Sequence, residues 1–181
     1  TIFGRGGEEA MYLAEHGVDY DIVPGISSST CASSSVNIPV THRGVADGVT
    51  IVTAHRRKDE HDFAIPEYHP RRTLILLMGV GTMPVWSEQL LELGYPPDLS
   101  VALVERATQE KERVVITDIA NCVDAADRAD VTPPMTAVVG DVVDLREDLL
   151  GEPEDAPGLL EKPAQPRPVA DVLRVVQGGR G

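Results

Sequence analysis

A strand, a glycine turn and a helix follow one another in the middle of the chain and constrain the fold most strongly. Residues Thr73–Met78 are apolar after the first position, as expected of a buried strand. The glycines of Gly79-Val80-Gly81 allow the backbone to turn tightly after it. A helix is predicted next, because apolar residues recur at helical spacing at Trp86, Leu90 and Leu93. Such a unit is typical of an α/β protein.

The same alternation of strands and helices continues on both sides of this unit. Further strands are predicted at Tyr20–Val23, Gly48–Thr53, Ser100–Glu105, Arg113–Ile116 and Met135–Val139. Further helices are predicted from Glu8 to a stop at Gly17, over Ser28–Val36 and over Asp118–Ala129. The residues of Gly48–Thr53 suit a largely buried strand. The pattern predicts an α/β sheet.

Charge and composition exclude several classes of protein. The 181 residues carry 29 acidic and 16 basic side chains, a net charge of −13, which disfavours nucleic-acid binding. No apolar run approaches the roughly 20 residues of a membrane helix, and no signal-like segment opens the chain. A cytoplasmic protein is predicted. The two cysteines, Cys31 and Cys122, are far apart in sequence and are expected to be reduced and buried.

The first residues suggest a ligand-binding turn. Three glycines occupy positions 4, 6 and 7 just before the first predicted helix. A second turn, Pro24-Gly25, precedes Ser27, which can either cap the next helix or project from the turn. Neither the dinucleotide-binding pattern nor the P-loop Gly-Lys-Ser/Thr is present, so a glycine turn that is only scaffolding explains the first segment equally well.

Five segments together resemble one family. They are FGRGGEE at residues 3–9, VPGISS at 23–28, NIPVTHRG at 37–44, LLMG at 76–79 and PPMTAVVGDVV at 133–143. In order and spacing they resemble the uroporphyrinogen-III C-methyltransferases, over residues 1 to about 150. The resemblance implies the tetrapyrrole methylase fold, with two α/β lobes and the cofactor in the cleft between them.

The resemblance also implies a domain organisation. Residues 1–45 correspond to the C-terminal part of the first lobe, so that lobe is expected to be incomplete and the chain to be N-terminally truncated. Residues 46–150 correspond to the second lobe. The remaining 151–181 hold five of the 14 prolines and are predicted to be a disordered tail. Relatives are homodimers, so a homodimer is expected.

The implied reaction is methylation of two pyrrole carbons of uroporphyrinogen III by S-adenosyl-L-methionine, which gives precorrin-2 for sirohaem or cobalamin. Family positions predict cofactor contacts at Ile2, Ser27, Ser28, Met78 and Ala107. Ser28 could instead only begin a helix, and Met78 could be a core residue. The acid and base proposed in the family precede Thr1, so no catalytic residue is assigned. The family's Glu-Asn-Gly/Ala-Thr segment also differs here, because Arg106 replaces its asparagine.

A substrate with eight carboxylates needs a local basic surface on an acidic protein. The candidates are Arg5, His42, Arg43 and His55. For Arg43 an ion pair between the lobes is an equal alternative. Arg56, Arg57 and Lys58 could add charge at the rim, although such a run is usually a solvated loop.

No metal site is predicted, because the spacing of the loop histidines matches no closed zinc pattern. Those histidines are His55, His61 and His69, with Asp59 and Glu60 between them. Two alternative functions remain open. One is a methylase of a later corrin intermediate, and the other is a truncated chain that binds S-adenosylhomocysteine without turnover. A substrate panel separates the first from uroporphyrinogen III methylation, and activity of this chain would exclude the second.

Overall fold

Five strands form a mixed sheet at the centre of the part of the chain that the structure describes. The structure, a computed structural model, describes residues 2–55 and 63–150. The strands are β1 (Gly48–Thr53), β2 (Arg72–Leu77), β3 (Ser100–Glu105), β4 (Arg113–Asp118) and β5 (Met135–Val139). The α-helices are α1 (Gly6–Glu15), α2 (Ser28–Ser35), α3 (Met83–Glu92), α4 (Cys122–Arg128) and α5 (Leu145–Leu150), with a 3-10 turn at Asp141–Val143. The predicted α/β class is confirmed.

The order of the strands brings distant parts of the sequence together. It runs β1-β2-β5-β3-β4, so the last strand along the chain lies in the middle. β1 is parallel to β2, whereas β5 is antiparallel to both β2 and β3, and β4 is antiparallel to β3. β1, β2 and β3 therefore end at the same edge of the sheet, where β4 and β5 begin. We call this the Glu105 edge, and the opposite one the Arg72 edge.

Each face of the sheet buries its own cluster of apolar side chains. On one face α3 and α4 pack, and their fully buried residues include Trp86, Leu90 and Cys122. On the other face α2 packs through Ala32 and Val36 against Val104 of β3 and its neighbours. All five residues of β5 are buried, as expected for a central strand covered on both faces.

The prediction of a strand at Tyr20–Val23 is wrong. This segment forms no strand in the structure, and its side chains are exposed, Val23 by 85% and Ile22 by 64%. β-Branched residues favour an extended backbone, but a strand needs a hydrogen-bonded neighbour. None of the strands in residues 2–55 and 63–150 lies beside the segment.

Two other predictions need correction in their details. The helix expected over Asp118–Ala129 begins only at Cys122, because β4 continues to Asp118 and the carboxylate of Asp118 accepts hydrogen bonds from Asn121. β1 is an edge strand in which only Val52 is buried, rather than a largely buried one. The sequence of β1 could not show its place at the edge of the sheet, because that place depends on pairing with distant strands.

Some predictions lie outside the described residues. They concern the tail at 151–181 and the basic run at 56–58. Among residues 2–55 and 63–150, no helix is both long and apolar enough to cross a membrane. Both cysteines are free thiols, Cys122 buried and Cys31 half-buried. Burial raises the pKa of the Cys122 thiol to about 11.

Gly79 lies where the backbone passes closest to the core under the glycine turn. A Cβ at this position would lie 2.9 Å from Nε1 of Trp86 and 3.0 Å from the Cβ of Ala54. Both neighbours are fully buried, so the backbone itself would have to move. We expect Gly79→Ala to lower the free energy of unfolding by about 1–2 kcal/mol in urea denaturation.

Gly81→Ala is the matched control in the same turn. No heavy atom lies within 4 Å of a Cβ added at Gly81. This substitution should leave the free energy of unfolding unchanged or raise it by up to about 1 kcal/mol. Equal effects of the two substitutions would contradict the role assigned to the close packing at Gly79.

Candidate functional site

A cavity of about 550 Å³ opens at the Glu105 edge of the sheet. Its volume falls within the roughly 300–1,000 Å³ of small-molecule sites. The lining residues come from five separate parts of the chain and lie within residues 2–4, 28, 77–81, 104–109 and 133–136. In full the lining consists of Ile2, Phe3, Gly4, Ser28, Leu77, Met78, Val80, Gly81, Val104, Ala107, Gln109, Pro133, Pro134, Met135 and Thr136. None of these described residues has an ionisable side chain, so together they suit a ligand recognised through backbone groups, hydroxyls and apolar surface.

Four of the five predicted cofactor residues line this cavity. They are Ile2, Ser28, Met78 and Ala107, which lie far apart in sequence. The strand order explains their proximity, because Met78 follows β2 and Ala107 lies just after β3, and both strands end at the Glu105 edge. Ligands gather at such strand ends in open α/β sheets.

Ser27, the fifth, caps a helix and is absent from the lining. Its hydroxyl accepts a hydrogen bond from the backbone N–H of Ser29 at 3.3 Å, and its Oγ lies 2.8 Å from the hydroxyl of Ser29. Capping is one of the two roles that its position after the turn allowed. Ser27 thereby fixes the start of α2, whose first residue, Ser28, lines the cavity.

Left-handed backbone conformations are concentrated around the cavity. Phe3 and Met78 line it with φ of 51° and 61°. Arg106 and Thr108 flank Ala107 with φ of 49° and 64°. Residues with a Cβ rarely adopt this conformation, and it costs about 1–3 kcal/mol unless the surroundings favour it. The walls of the cavity are therefore held in place by contacts elsewhere.

Glu105 supplies one set of those contacts. Its carboxylate is 1% exposed and lies 2.5 Å from Nε of Arg113, and it also pairs with the guanidinium of Arg106. It accepts hydrogen bonds from the hydroxyl and the backbone N–H of Thr132, at 2.7 and 3.2 Å. Burial alone would raise its pKa, but the hydrogen bonds from Thr132 and Arg113 outweigh burial and lower the pKa to about 2. Glu105 joins the wall at Ala107 to the wall at 133–136.

Trp86 supplies a second set of contacts. Its indole Nε1 donates a hydrogen bond of 2.9 Å to the carbonyl of Gly79, the residue after Met78. The Thr82 hydroxyl donates one of 2.6 Å to the carbonyl of Ala54, which follows β1. The turn at 78–82 is thus fixed both to α3 and to the end of β1.

The four predicted substrate residues fall into two groups. Gly4 lines the cavity and Arg5 follows it, although the guanidinium of Arg5 is 82% exposed and pairs with Glu8 at 2.6 Å. His55 is exposed and lies just after β1, at the Glu105 edge. His42 and Arg43 lie in a turn closed by a bridge from His42 to Ala46.

That turn leads into β1 from the Arg72 edge, because the N–H of Asp47 bonds to the carbonyl of Arg71. None of the four residues is part of the cavity lining. The structure brings Arg5 and His55 to the edge that carries the cavity, and it leaves His42 and Arg43 at the other. Among residues 2–55 and 63–150, Arg43 forms no ion pair. The ion pair between lobes, given above as the alternative role of Arg43, is therefore not found among the described residues.

Of the residues considered for a metal site, His55 and His69 are described, while Asp59, Glu60 and His61 lie outside the described residues. Within residues 2–55 and 63–150, no group of three or more His, Cys, Asp or Glu side chains is arranged to hold a metal ion.

Several lining residues were not singled out from the sequence. Two of these residues, Gln109 and Thr136, have polar side chains. Others are Phe3, Pro133 and Pro134. The segment 133–143 was part of the family resemblance, so it carried a signal, but that signal did not distinguish Thr136 from its apolar neighbours. Gln109 lies in a loop that differs from the family pattern, so no family position indicated that it would line the cavity.

Comparisons with known proteins show which sequences and structures the chain is similar to. Residues 1–122 match the sequence profile of the tetrapyrrole (corrin/porphyrin) methylases. The chain is 40% identical over 149 residues to the siroheme synthase of Pseudoalteromonas atlantica, covering 82% of this chain and 32% of that protein. It is 37% identical over 154 residues to the S-adenosyl-L-methionine-dependent uroporphyrinogen III methyltransferase of Methanosarcina barkeri, covering 83% and 60%.

Solved structures show the same likeness. The uroporphyrin-III C-methyl transferase of Thermus thermophilus complexed with S-adenyl homocysteine superposes with a TM-score of 0.67 at 34% identity, over 80% of this chain and 60% of that one. The chain thus spans about a third of the siroheme synthase and 60% of the methyltransferases it matches. Because the family profile extends over residues 1–122 of 181 and the fold agrees, the chain belongs to the tetrapyrrole (corrin/porphyrin) methylases.

Proposed function

We propose that this chain binds S-adenosyl-L-methionine in the cavity at the Glu105 edge and, within its whole protein, methylates uroporphyrinogen III to precorrin-2. The observation that carries the proposal is the meeting of Ile2, Ser28, Met78 and Ala107 in one cavity of about 550 Å³. These positions come from four separate segments and were selected from the sequence alone. Relatives named as uroporphyrinogen III methyltransferases and siroheme synthases support the same reaction.

The chemistry of the cavity fits this cofactor. Apolar walls, two hydroxyl-bearing residues and the amide of Gln109 suit an adenosyl group with a short zwitterionic arm. A nucleotide with several phosphates would require basic side chains, and the lining has none. When bound, S-adenosyl-L-methionine supplies a methyl group on a sulfonium, which an electron-rich pyrrole carbon can take.

The chain's own contribution to this reaction is binding and orientation. The strained turns at Met78 and Ala107 are held by Trp86 and Glu105, so the cavity is formed before the ligand arrives. A displacement requires nucleophile, carbon and sulfur nearly in line, so such preorganisation supplies much of the rate acceleration. Arg5 and His55, at the same edge, are the proposed contacts for substrate carboxylates.

Calorimetric titration of S-adenosylhomocysteine into the 181-residue chain tests cofactor binding. Saturable heat is expected from the wild-type chain. Ala107→Leu would place a larger side chain in the cavity wall and should raise the Kd by about tenfold or more. Ala120→Leu is the control, because Ala120 is exposed and outside the lining, and its Kd should equal that of the wild type.

No saturable heat from the wild type would count against the cofactor proposal, and equal Kd values for both leucine variants would count against the cavity as the binding site.

The acceptor is tested separately, by incubating the whole protein with S-adenosyl-L-methionine and either uroporphyrinogen III or later corrin intermediates. Methylation of uroporphyrinogen III is expected, and turnover of only a later intermediate would contradict the proposed substrate. The homodimer, the cytoplasmic location and the pathway served stay predictions from the resemblance.

A further inference from the structure

We propose that Thr136 is a ligand-binding residue, whose hydroxyl meets the carboxylate of the bound ligand at the N-terminus of α2. The inference rests on the proposed function, since S-adenosyl-L-methionine and its product both carry an amino-acid carboxylate. It adds a residue that lies in one of the resembling segments but was not among the predicted site residues. Three observations carry it.

The first is that the hydroxyl of Thr136 has no hydrogen-bond partner in the described part of the chain, although the residue as a whole is almost completely buried. Its residue is only 5% exposed, and no group in residues 2–55 and 63–150 forms a hydrogen bond with its side chain. In the sheet, Thr136 of β5 lies opposite Leu77 of β2 on one side and opposite Val104 of β3 on the other. All three residues line the cavity. Because Thr136 lines the cavity and its hydroxyl is not among the fully buried unpaired atoms, a ligand in the cavity can reach this hydroxyl and complete its hydrogen bonding.

The second observation concerns the face on which Thr136 lies. Along β5, Met135, Ala137 and Val139 belong to the cluster under α3, whereas Val138 belongs to the cluster under α2. Side chains alternate between the two faces of a strand, so Thr136 shares the α2 face with Val138. The hydroxyl of Thr136 therefore lies on the side of the sheet from which Ser28 lines the cavity.

The third observation is the state of the α2 N-terminus. Ser27 satisfies the N–H of Ser29 with its side chain, and its carbonyl accepts from Thr30 and Cys31. In the described part of the chain, the N–H and the hydroxyl of Ser28 have no acceptor. A helix N-terminus carries a partial positive charge and attracts an anion.

These donors suit one carboxylate better than a phosphate. The N–H and hydroxyl of Ser28 and the hydroxyl of Thr136 are all neutral, and none of the residues lining the cavity is basic. A singly charged carboxylate can be held by neutral donors and a helix N-terminus in an apolar cavity. A phosphate dianion would be left without countercharge, which is unfavourable there.

Two probes and three variants test this inference by calorimetry on the 181-residue chain. S-adenosylhomocysteine carries the carboxylate, and 5′-methylthioadenosine lacks the amino-acid arm. Thr136→Val keeps the shape of the side chain and removes the hydroxyl, and Thr136→Ser keeps the hydroxyl. Thr73→Val is the matched control, because Thr73 is a fully buried threonine of the same sheet, at the Arg72 edge, whose hydroxyl is also unpaired.

We expect Thr136→Val to raise the Kd for S-adenosylhomocysteine by about tenfold and to leave that for 5′-methylthioadenosine within about twofold. Thr136→Ser and Thr73→Val should bind both probes as the wild type does. A melting temperature of Thr136→Val no lower than that of the wild type would show that the variant folds. If the variant melts at a lower temperature, the two probes are compared on that same variant, and the difference between their Kd values still measures the loss of the carboxylate contact.

Unchanged S-adenosylhomocysteine binding by Thr136→Val would overturn the inference and leave the proposed cofactor in place. An equal loss for both probes would place Thr136 at the adenosyl part and overturn the carboxylate contact. Failure of the wild-type chain to bind either probe would instead overturn the proposed function, and with it this inference.

Discussion

Replacing Glu105 with glutamine is expected to lower the free energy of unfolding at neutral pH by about 2–3 kcal/mol. The glutamine amide cannot compensate the guanidinium groups of Arg106 and Arg113, both of which pair with the buried carboxylate. Removing one partner of a buried ion pair typically costs about 3–5 kcal/mol. A smaller loss is expected here, because the two arginine side chains are 30% and 43% exposed and water can still reach them.

The effect should depend on pH in a defined direction. The pKa of Glu105 is lowered in the folded state from 4.5 to about 2. A lowered folded pKa means that the carboxylate contributes stability above about pH 4.5, and that this contribution is lost as the pH falls towards about 2. The shift corresponds to about 3 kcal/mol. Urea unfolding of the wild type and of Glu105→Gln should therefore converge as the pH falls through this range.

Asp47→Asn is the matched control for this prediction. Asp47 also pairs with an arginine, Arg71, at 2.8 Å, but both side chains are at least half exposed. Its substitution should change the free energy of unfolding by less than about 1 kcal/mol. A constant difference between wild type and Glu105→Gln down to about pH 2 would contradict the assigned pKa.

Glu105→Gln should also weaken S-adenosylhomocysteine binding. The carboxylate links Arg106, before Ala107, to Thr132, before the prolines of the cavity wall. Without it the left-handed conformation of Arg106 loses a supporting contact. A variant that loses stability but keeps the wild-type Kd would show that the two walls hold their positions without this carboxylate.

The contrast between Ser27 and Thr136 shows what the sequence could predict of the site. Local patterns predicted most strands and helices, because alternation and capping residues act over a few positions. The local pattern allowed Ser27 either to cap α2 or to project from the turn, and in the structure it caps α2. Thr136 could not be recognised, since its position depends on β5 inserting between β2 and β3.

The same long-range pairing explains the strand predicted at Tyr20–Val23. Its residues favour an extended backbone, but none of the strands among the described residues pairs with the segment. Local preference alone does not form a strand, because pairing depends on the rest of the fold. For the site, family positions identified four lining residues, whereas the network around Glu105 depended on the contact of β3 with β4.

Replacing Trp86 with alanine is expected to have the largest effect on stability, a loss of about 3–5 kcal/mol. Trp86 is fully buried in the cluster under α3, and the truncation leaves a cavity that its neighbours cannot fill. Val85→Ala is the control, because Val85 precedes it in the same helix but is 38% exposed. That substitution should cost less than about 1 kcal/mol.

Trp86→Phe separates packing from the hydrogen bond. Phenylalanine keeps much of the ring but cannot donate to the carbonyl of Gly79, so we expect a loss of about 1–3 kcal/mol. Because Trp86 is the single tryptophan, unfolding of these variants should be followed by circular dichroism. Trp86→Phe should also raise the Kd for S-adenosylhomocysteine, since the freed turn no longer holds Met78 in its strained conformation. An unchanged Kd in a destabilised Trp86→Phe would limit Trp86 to packing the core.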